Sequence, residues 1–178
     1  MPVIELLAAH HDRASFDCGK AALNEFLHRF ARQNAERNLG VTHIAAPAPG
    51  AAQILGYYTL LVRTVDRELL PSGGRLPHGP VGVVLLGRLA VAQSAQRQGL
   101  GTRMLLRAIC QAERAARDIG IHALMLDALD DQARNWYLGL DFGFQALLDD
   151  PRHLYLPIAT VRQLGLVDAW PSESSPDE

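Results

Sequence analysis

The spacing of hydrophobic and polar residues predicts alternating strands and helices. Residues 102–119 repeat apolar side chains every three or four positions, with charged side chains between them, which is the pattern of an amphipathic helix. Residues 81–91 read VGVVLLGRLAV and are apolar at almost every position, as in a central strand buried on both faces. Residues 121–129, reading IHALMLDAL, have the same character. The sequence therefore predicts a buried strand, a long helix and a second buried strand in succession.

Weaker patterns complete the predicted order of elements. A first helix over residues 19–38, with Asp17 as its N-cap, carries apolar side chains on one face and charged side chains on the other. A short helix begins at Asp130 or Asp131. The remaining predicted elements are strands at 41–46, 54–63, 142–148 and 153–158 and a loop at 71–80.

The order α-β-β-β-α-β-α-β-β predicts the α/β fold class, with three layers and a mixed sheet. The length suits one domain, which we place at residues 1–165 and which is followed by a polar C-terminal tail at residues 166–178. No internal repeat divides the chain further.

Composition limits the class of protein without identifying it. The 178 residues are 48% hydrophobic and 20% charged, which is ordinary for a soluble globular domain. The sequence has no apolar stretch long enough to span a membrane and no secretory signal pattern, so we expect a cytoplasmic protein. Cys18 and Cys110 are too few for a disulfide network and are expected to be reduced. The net charge of -2 gives no indication of a nucleic-acid-binding face.

The link between the first buried strand and the long helix carries the most informative chemistry. Residues 96–101 read QRQGLG. A glycine-rich turn of this kind leaves backbone N–H groups unpaired and directs them, with the positive end of the helix dipole, at one point. Such a turn is an anion site suited to a pyrophosphate. It lacks the Lys-Ser/Thr ending of a nucleotide P-loop, and the seven histidines show no metal-ligand spacing, so no metal is predicted.

These motifs resemble the GNAT acetyltransferase superfamily. Its pyrophosphate motif corresponds to Gln96, Gly99 and Gly101, and its aromatic-Tyr pair before a Gly-Phe corresponds to residues 136–137 and 143–144. Five further segments resemble the toxin branch of this superfamily, namely residues 16–19, 23–24 with 26–27, 56–59, 86–91 and 149–157. The resemblance covers most of residues 14–160.

The resemblance implies acetyl-CoA as the acetyl donor and no metal cofactor. It implies a GNAT-like α/β/α fold whose sheet is splayed at its centre, where residues 81–91 and 121–129 separate near Leu89. Tyr137 is the implied general acid, which protonates the CoA thiolate as it leaves. The implied donor-binding residues are Leu89, Ala90 and Val91 for the pantetheine arm, and Gln96, Arg97, Gln98, Gly99, Leu100, Gly101 and Thr102 for the pyrophosphate.

The acceptor implied by the toxin branch is the α-amino group of aminoacyl-tRNA, whose acetylation blocks translation. Such a group has a pKa of about 7.7–8.0 and is substantially neutral at physiological pH, so water suffices as the base. No base is assigned among the nearby titratable residues, which are His122, Asp127, Asp130 and Asp131. The candidate RNA-binding residues are Arg29, Arg32 and Arg88.

Two other functions fit the same residues. One is a non-toxic enzyme of the same superfamily that acetylates a small amine or a protein N-terminus. The other is a non-catalytic CoA-binding module that assembles with a partner. For the toxin branch, the resemblance implies a ribbon-helix-helix antitoxin, a tRNA acceptor and a homodimer, and no contact with a membrane.

The sequence departs from the family pattern at one point. Gly143 follows Tyr137 by six residues, where four are expected, so residues 138–142 contain two additional positions. The end of the short helix or the turn after it has to absorb them. The position of Tyr137 depends on whether the helix or the turn accommodates these two residues.

Overall fold

A mixed sheet of seven strands forms the middle layer of the protein. The computed structural model describes residues 1–71 and 75–167. The strands lie side by side in the order β1-β2-β3-β4-β5-β7-β6, and each neighbouring pair is antiparallel except β4 with β5. Their bounds are β1 (Val3–Leu6), β2 (Val41–Ala46), β3 (Gly56–Asp66), β4 (Pro80–Val91), β5 (Ala123–Asp127), β6 (Gln145–Ala146) and β7 (His153–Pro157).

Helices cover both faces of this sheet. On one side, α1 (Ala21–Glu25) continues through a π-helical turn (Phe26–Phe30) into α2 (Ala31–Glu36). The other helices are α3 (Leu100–Asp118), α4 (Asp131–Gly139) and α5 (Ile158–Gln163). No helix in the described ranges is both long and apolar enough to cross a bilayer.

Two adjacent tyrosines of β3 demonstrate the three layers. Successive strand side chains point to opposite faces of a sheet. Tyr58 belongs to the core that packs beneath α3 with Leu105 and Ile109. Tyr57 belongs to a second core on the other face, where its ring lies 6.2 Å from that of Phe26. The predicted three-layer α/β/α architecture with a mixed sheet is therefore confirmed.

Strands β2 and β4 and helix α3 agree closely with the prediction, and the other predicted elements differ from it in length. Strand β2 has the predicted bounds, β4 begins one residue before the predicted start, and α3 begins two residues before its own. The final strands are shorter than predicted, since β6 has only two residues. Sequence reasoning missed β1 and α5, which have four and six residues and too little pattern to detect. Residues 168–178 of the predicted tail lie outside the described residues.

The prediction of Asp17 as the first N-cap is wrong. Helix α1 begins at Ala21, behind a left-handed Gly19 with φ +84°. The Asp17 carboxylate instead accepts hydrogen bonds from the Gly19 N–H and the Asn24 amide, each at 2.8 Å. It therefore stabilises the loop ahead of the helix, and the helix is shorter than the predicted 19–38.

Strands β4 and β5 separate in the middle of the sheet. Their parallel pairing extends only from Val83 to Leu86 on β4 and from Ala123 to Leu126 on β5. Strand β4 continues to Val91 while paired with β3 alone, and a bulge at Gly87 shifts its register. One edge of β4 beyond Leu86 therefore has no strand beside it, as the predicted splay requires.

A buried carboxylate connects α3 to α5. The side chain of Glu113 is 2% exposed, and its oxygens accept hydrogen bonds from Arg117 Nε and Arg162 Nε, each at 3.0 Å. The hydrogen bond from Arg117 lowers the pKa of Glu113 below its ordinary 4.5. The stability that Glu113 contributes is therefore complete above the unfolded pKa and is lost as pH falls through the folded one.

We expect Glu113→Gln to destabilise the protein by about 1–3 kcal/mol at pH 7, because the two arginines lose a charged acceptor. The difference from wild type should shrink on acidification below pH 4.5, because glutamine does not titrate. Urea unfolding at pH 7 and pH 4 measures both effects. The control Glu25→Gln removes an exposed ion pair to Arg29 and should change stability by less than about 0.5 kcal/mol. Equal losses in the two variants would contradict this role.

Candidate active site

The opening between β4 and β5 leads into a cleft of about 440 Å³. Residues 86–91 of β4 form one wall, and α4 with the end of β5 forms the opposite wall. Lys20 and Leu23, at the start of α1, complete the lining. The cleft therefore lies where the sheet loses its pairing, and the unpaired edge of β4 borders it.

A turn rich in backbone donors follows β4. Arg97 has φ +61° and Gly99 has φ +78°, so two left-handed residues bend the chain into α3. Among the backbone hydrogen bonds that the described residues make outside their helices and strands, none is donated by the N–H groups of residues 97–102. A Cβ on Gly99 would meet nothing within 4 Å, which leaves the backbone open to a ligand. N–H groups without backbone partners at the positive end of a helix have the character that an anion site requires.

The side chains of this turn hold it in place. Gln96 Nε2 donates to the carbonyl oxygens of Val91 at 3.0 Å and Cys18 at 3.1 Å. Gln98 Nε2 donates to the Ser94 carbonyl at 3.2 Å. The backbone of residues 97–102 is therefore the part of the motif that remains available to bind an anion, and Gln96 fixes its position.

Tyr137 lies in the cleft at the end of α4. The helix begins at Asp131, and Asp130, one of the two predicted starting residues, is its N-cap, with a side chain that accepts the Ala133 N–H at 2.8 Å. The Tyr137 ring packs edge-on against Trp136 at 4.8 Å and Phe144 at 5.8 Å. Burial raises its pKa well above the ordinary 10.0, so the hydroxyl stays protonated throughout the physiological range.

The predicted RNA-binding arginines lie in two different places. Arg88 lines the cleft, with its guanidinium carbon 3.7 Å from the centre of the Phe26 ring. Arg29 and Arg32 lie outside the cleft lining, on the helical face formed by the π-helical turn and α2. Each of these two forms an exposed ion pair four residues away, with Glu25 at 3.1 Å and Glu36 at 3.4 Å respectively.

Comparisons with known proteins agree with this geometry. The model of the Acetyltransferase (GNAT) family matches residues 5–144. The chain belongs to the GNAT acetyltransferase family. It is also 34% identical over 155 residues to the tRNA-acetylating toxin of Mycobacterium tuberculosis, covering 86% of this chain and 90% of that protein. Its expected identity as an acetyltransferase is thus confirmed.

Two solved structures are similar to this GNAT acetyltransferase over nearly its whole length. AtaT complexed with acetyl-methionyl-tRNAfMet is 32% identical with a TM-score of 0.86, covering 93% of this chain and 99% of that chain. A tyrosine-to-phenylalanine mutant of the AtaT toxin, bound to the C-terminus of the antitoxin AtaR and acetyl-CoA, is 29% identical with a TM-score of 0.80. This second match covers 92% of the present chain and 98% of that chain.

Residues 138–142, which contain the two additional positions of this GNAT acetyltransferase, comprise the end of α4 and the turn behind it. Asp141 and Gly143 take left-handed conformations, with φ +58° and +93°. The turn begins with the N–H of Leu140 donating to the carbonyl of Tyr137 itself. The helix therefore ends normally at Gly139, and the insertion leaves Tyr137 in the cleft.

The carboxylates near the cleft all have cationic partners. Asp127 pairs with Arg63 at 2.9 Å and Asp131 with Arg152 at 2.9 Å. Asp130 accepts a hydrogen bond from the Ala133 N–H and lies 3.4 Å from the Lys20 ammonium. Both interactions favour its charged form and lower its pKa. The hydrogen bond from Arg152 lowers the pKa of Asp131 in the same way. A carboxylate with a lowered pKa is a weaker base.

His122 lies outside the lining of the cleft, and burial lowers its pKa. His122 is therefore not placed to take a proton from an acceptor amine in the cleft.

Sequence reasoning missed a close cluster of Glu5, His10 and His11 near the N-terminus, whose ligand atoms lie within 4.8 Å of one another. His11 Nδ1 accepts the Ala8 N–H at 2.8 Å, which assigns its proton to Nε2, 3.0 Å from Glu5 Oε1. Both ring nitrogens of His11 are thus used within the protein. These hydrogen bonds account for the cluster without a metal ligand role for His11.

Sequence reasoning also missed the N-terminal wall of the cleft. Cys18, Lys20 and Leu23 line it, and this segment is held there by contacts distant in sequence, such as the hydrogen bond from Gln96 to Cys18 across 78 positions. The family-like residues 16–19 and 23–24 were the sequence signals that this segment has a function.

We expect Gly143→Ala to destabilise the enzyme by about 1–3 kcal/mol, because φ is +93° and the added Cβ would lie 2.8 Å from Thr160 Cγ2. The matched control is Gly139→Ala, at the end of α4, where a Cβ meets nothing within 4 Å. That change should be neutral or stabilise by up to about 1 kcal/mol. Urea unfolding compares the two. A Gly143→Ala protein as stable as wild type would show that the turn relaxes freely.

Proposed function

We propose that this acetyltransferase moves the acetyl group of acetyl-CoA to the α-amino group of aminoacyl-tRNA and so acts as a translation-blocking toxin. One observation carries the proposal. A single cleft is lined by the unpaired edge of β4, by Tyr137 and by Gln96, the first residue of the glycine-rich motif that continues into α3. The similarity to a tRNA-acetylating toxin and to AtaT complexed with an acetylated aminoacyl-tRNA supports the choice of acceptor.

The donor end of the cleft suits a pyrophosphate-bearing thioester. The N–H groups of residues 97–102 would hold the two phosphates at the start of α3. Leu89, Ala90 and Val91 would hydrogen-bond the amides of the pantetheine arm along the edge that β5 leaves unpaired. A backbone N–H on the same edge would stabilise the negative charge that grows on the thioester oxygen. Acetyl-CoA supplies the activated acetyl group.

Tyr137 would act as the general acid. A cysteine-like thiol has a pKa of about 8.5 and a tyrosine about 10, so proton donation to the thiolate is uphill by roughly 2 kcal/mol in water. Burial raises the pKa of Tyr137 and so makes its hydroxyl a weaker acid. The departing thiolate is desolvated in the same cleft, however, and desolvation raises the proton affinity of both anions.

The acceptor would need no protein base. Asp127, Asp130 and Asp131 are held by cations or by a helix N–H and are poorly placed to take a proton. An α-amino group is already substantially neutral near pH 8, so it can attack directly and release its proton to water. Arg88 in the cleft wall would contact the acceptor end of the tRNA, and Arg29 and Arg32 would contact its backbone.

The partner of this toxin would be a ribbon-helix-helix antitoxin with a segment that covers the cleft. The AtaT toxin bound to the C-terminus of AtaR supports an antitoxin partner of this general kind. A homodimer in the cytoplasm completes the proposal. An adjacent open reading frame for a small ribbon-helix-helix protein is the simplest support, and co-purification with that protein tests it directly.

Expression in a growing culture separates the proposal from its alternatives. The toxin arrests growth and leaves N-acetylated aminoacyl-tRNA detectable by mass spectrometry. Normal growth with acetylation of a small amine or protein N-terminus favours the non-toxic enzyme. Acetyl-CoA binding without turnover on any amine favours the non-catalytic module.

We expect Tyr137→Phe to lower kcat by roughly 10²–10⁴-fold, because the thiolate loses its proton donor. The affinity for acetyl-CoA should stay unchanged, since the pyrophosphate site is on α3. Quenched kinetics with aminoacyl-tRNA and calorimetry with acetyl-CoA measure the two quantities. The control is Tyr155→Phe, which removes a buried hydroxyl that donates to Gln145 outside the cleft. Full activity of Tyr137→Phe would remove Tyr137 from the mechanism.

We expect the double variant Arg29→Gln, Arg32→Gln to weaken tRNA acetylation without changing acetyl-CoA binding. Loss of two phosphate contacts should flatten the slope of log affinity against log salt by about 1–2. The reciprocal variant Glu25→Gln, Glu36→Gln frees both arginines from their ion pairs and should strengthen tRNA binding. Filter binding across a salt series measures both. Unchanged slopes in both variants would place the tRNA on another surface.

A further inference from the structure

The only lysine of the chain lies in the wall of the cleft. The sequence contains 17 Lys and Arg residues, and Lys20 is the single lysine among them. Its side chain is 53% exposed and lines the cleft that also contains Tyr137. An amine that can be acetylated is thus placed inside the proposed acetyl-transfer site.

The backbone near Lys20 is fastened to the segment that leads into the anion-binding turn. Gln96 Nε2 donates to the Cys18 carbonyl at 3.1 Å. The N–H of Gln93 donates to the Asp17 carbonyl at 2.9 Å, and its side-chain amide donates to the Asp17 carboxylate at 2.8 Å. Three hydrogen bonds therefore fix the root of the Lys20 side chain relative to the proposed donor site.

The amine itself extends across the cleft. Lys20 Nζ lies 3.4 Å from Asp130 Oδ2, at the start of the helix that carries Tyr137. Tyr137 follows Asp130 by seven residues, which is about two helical turns or about 10 Å. The flexible four-carbon stem of lysine lets the ammonium leave an exposed ion pair of this kind at little cost.

We propose that the enzyme acetylates its own Lys20 within one molecule. The inference rests on the proposed function, because it uses the same donor and the same cleft. The Lys20 ammonium first releases a proton to water, and its Nζ lone pair then attacks the acetyl carbonyl. The new C–N bond forms, the C–S bond breaks, and the thiolate takes a proton from Tyr137 while the amide nitrogen loses one. Tyr137 regains its proton from solvent, so the products are acetyl-Lys20, CoA and one released proton.

Because Lys20 is attached to the cleft wall, its amine is expected to react faster than a lysine amine in solution. A tethered and oriented amine reacts as if it were present at a high local concentration, which compensates for its low neutral fraction. Acetylation would remove the charge of Lys20 and its ion pair with Asp130. The modified side chain would also occupy space at the mouth of the cleft.

The test is intact mass spectrometry of the purified full-length protein with acetyl-CoA alone. We expect the chain to gain one acetyl group, about 42 Da. Trypsin does not cut after acetyl-lysine, so the modified peptide should span residues 14–29. Lys20→Arg keeps a cation beside Asp130 and should gain no mass, while Tyr137→Phe should slow the gain at least tenfold. The rate per chain should not change with protein concentration.

The following results of the same experiment would overturn the inference that the enzyme acetylates its own Lys20. Equal labelling of urea-unfolded protein would show uncatalysed chemistry, and a rate that rises with protein concentration would show transfer between molecules. Mass gain on residues 1–13, or persistence in Lys20→Arg, would place the acetyl group elsewhere. An enzyme that acetylates aminoacyl-tRNA but not itself overturns this inference and leaves the proposed function standing. Acetyl-CoA binding with neither reaction overturns both.

Discussion

The structure depends on the short pairing between β4 and β5. Only four residues of each strand are hydrogen-bonded to one another, although β4 continues for five residues beyond them. Breaking a parallel ladder inside a sheet leaves backbone N–H and C=O groups without strand partners, which is costly unless something else binds them. Here that edge borders a cleft, so the same divergence that weakens the sheet makes room for a ligand with amides of its own. The roles proposed for the turn after β4 and for Tyr137 both depend on this separation of the strands.

The unusual backbone after β4 is stabilised by contacts to the N-terminal segment. A left-handed conformation at Arg97 costs about 1–2 kcal/mol and is not relieved by a glycine at that position. Gln96 and Gln93 offset this cost with hydrogen bonds to residues 17, 18 and 91. The same bonds bring the loop before α1 to the cleft. The strained turn and the position of Lys20 are therefore two results of one hydrogen-bond network.

Local pattern was sufficient to predict the elements that form the donor side. The apolar run of β4, the amphipathic period of α3 and the glycines between them are each encoded within about twenty residues, and the resemblance added Tyr137. The rest depends on contacts distant in sequence. Lys20 reaches the cleft through bonds across more than seventy positions, β1 is an edge strand of four residues, and the two additional residues are accommodated by positive φ at Asp141 and Gly143. None of these has a periodic signal for sequence analysis to detect.

The charges around the cleft govern which amines it can acetylate. Asp127 and Asp131 are paired with arginines, and Asp130 is paired with a helix N–H and Lys20. The cleft therefore favours acceptor amines that are already deprotonated and need no base from the protein. The neutral fraction of an α-amino group at pH 7 is about 300-fold larger than that of a free lysine side chain, because their ordinary pKa values are about 7.7–8.0 and 10.4. Effective molarities of well-oriented groups reach about 10⁵ M or more, which is so far above the concentration of any amine in solution that it offsets this 300-fold difference. A site whose described carboxylates are all paired therefore discriminates against lysines in solution and still permits reaction of the one lysine anchored in its own wall.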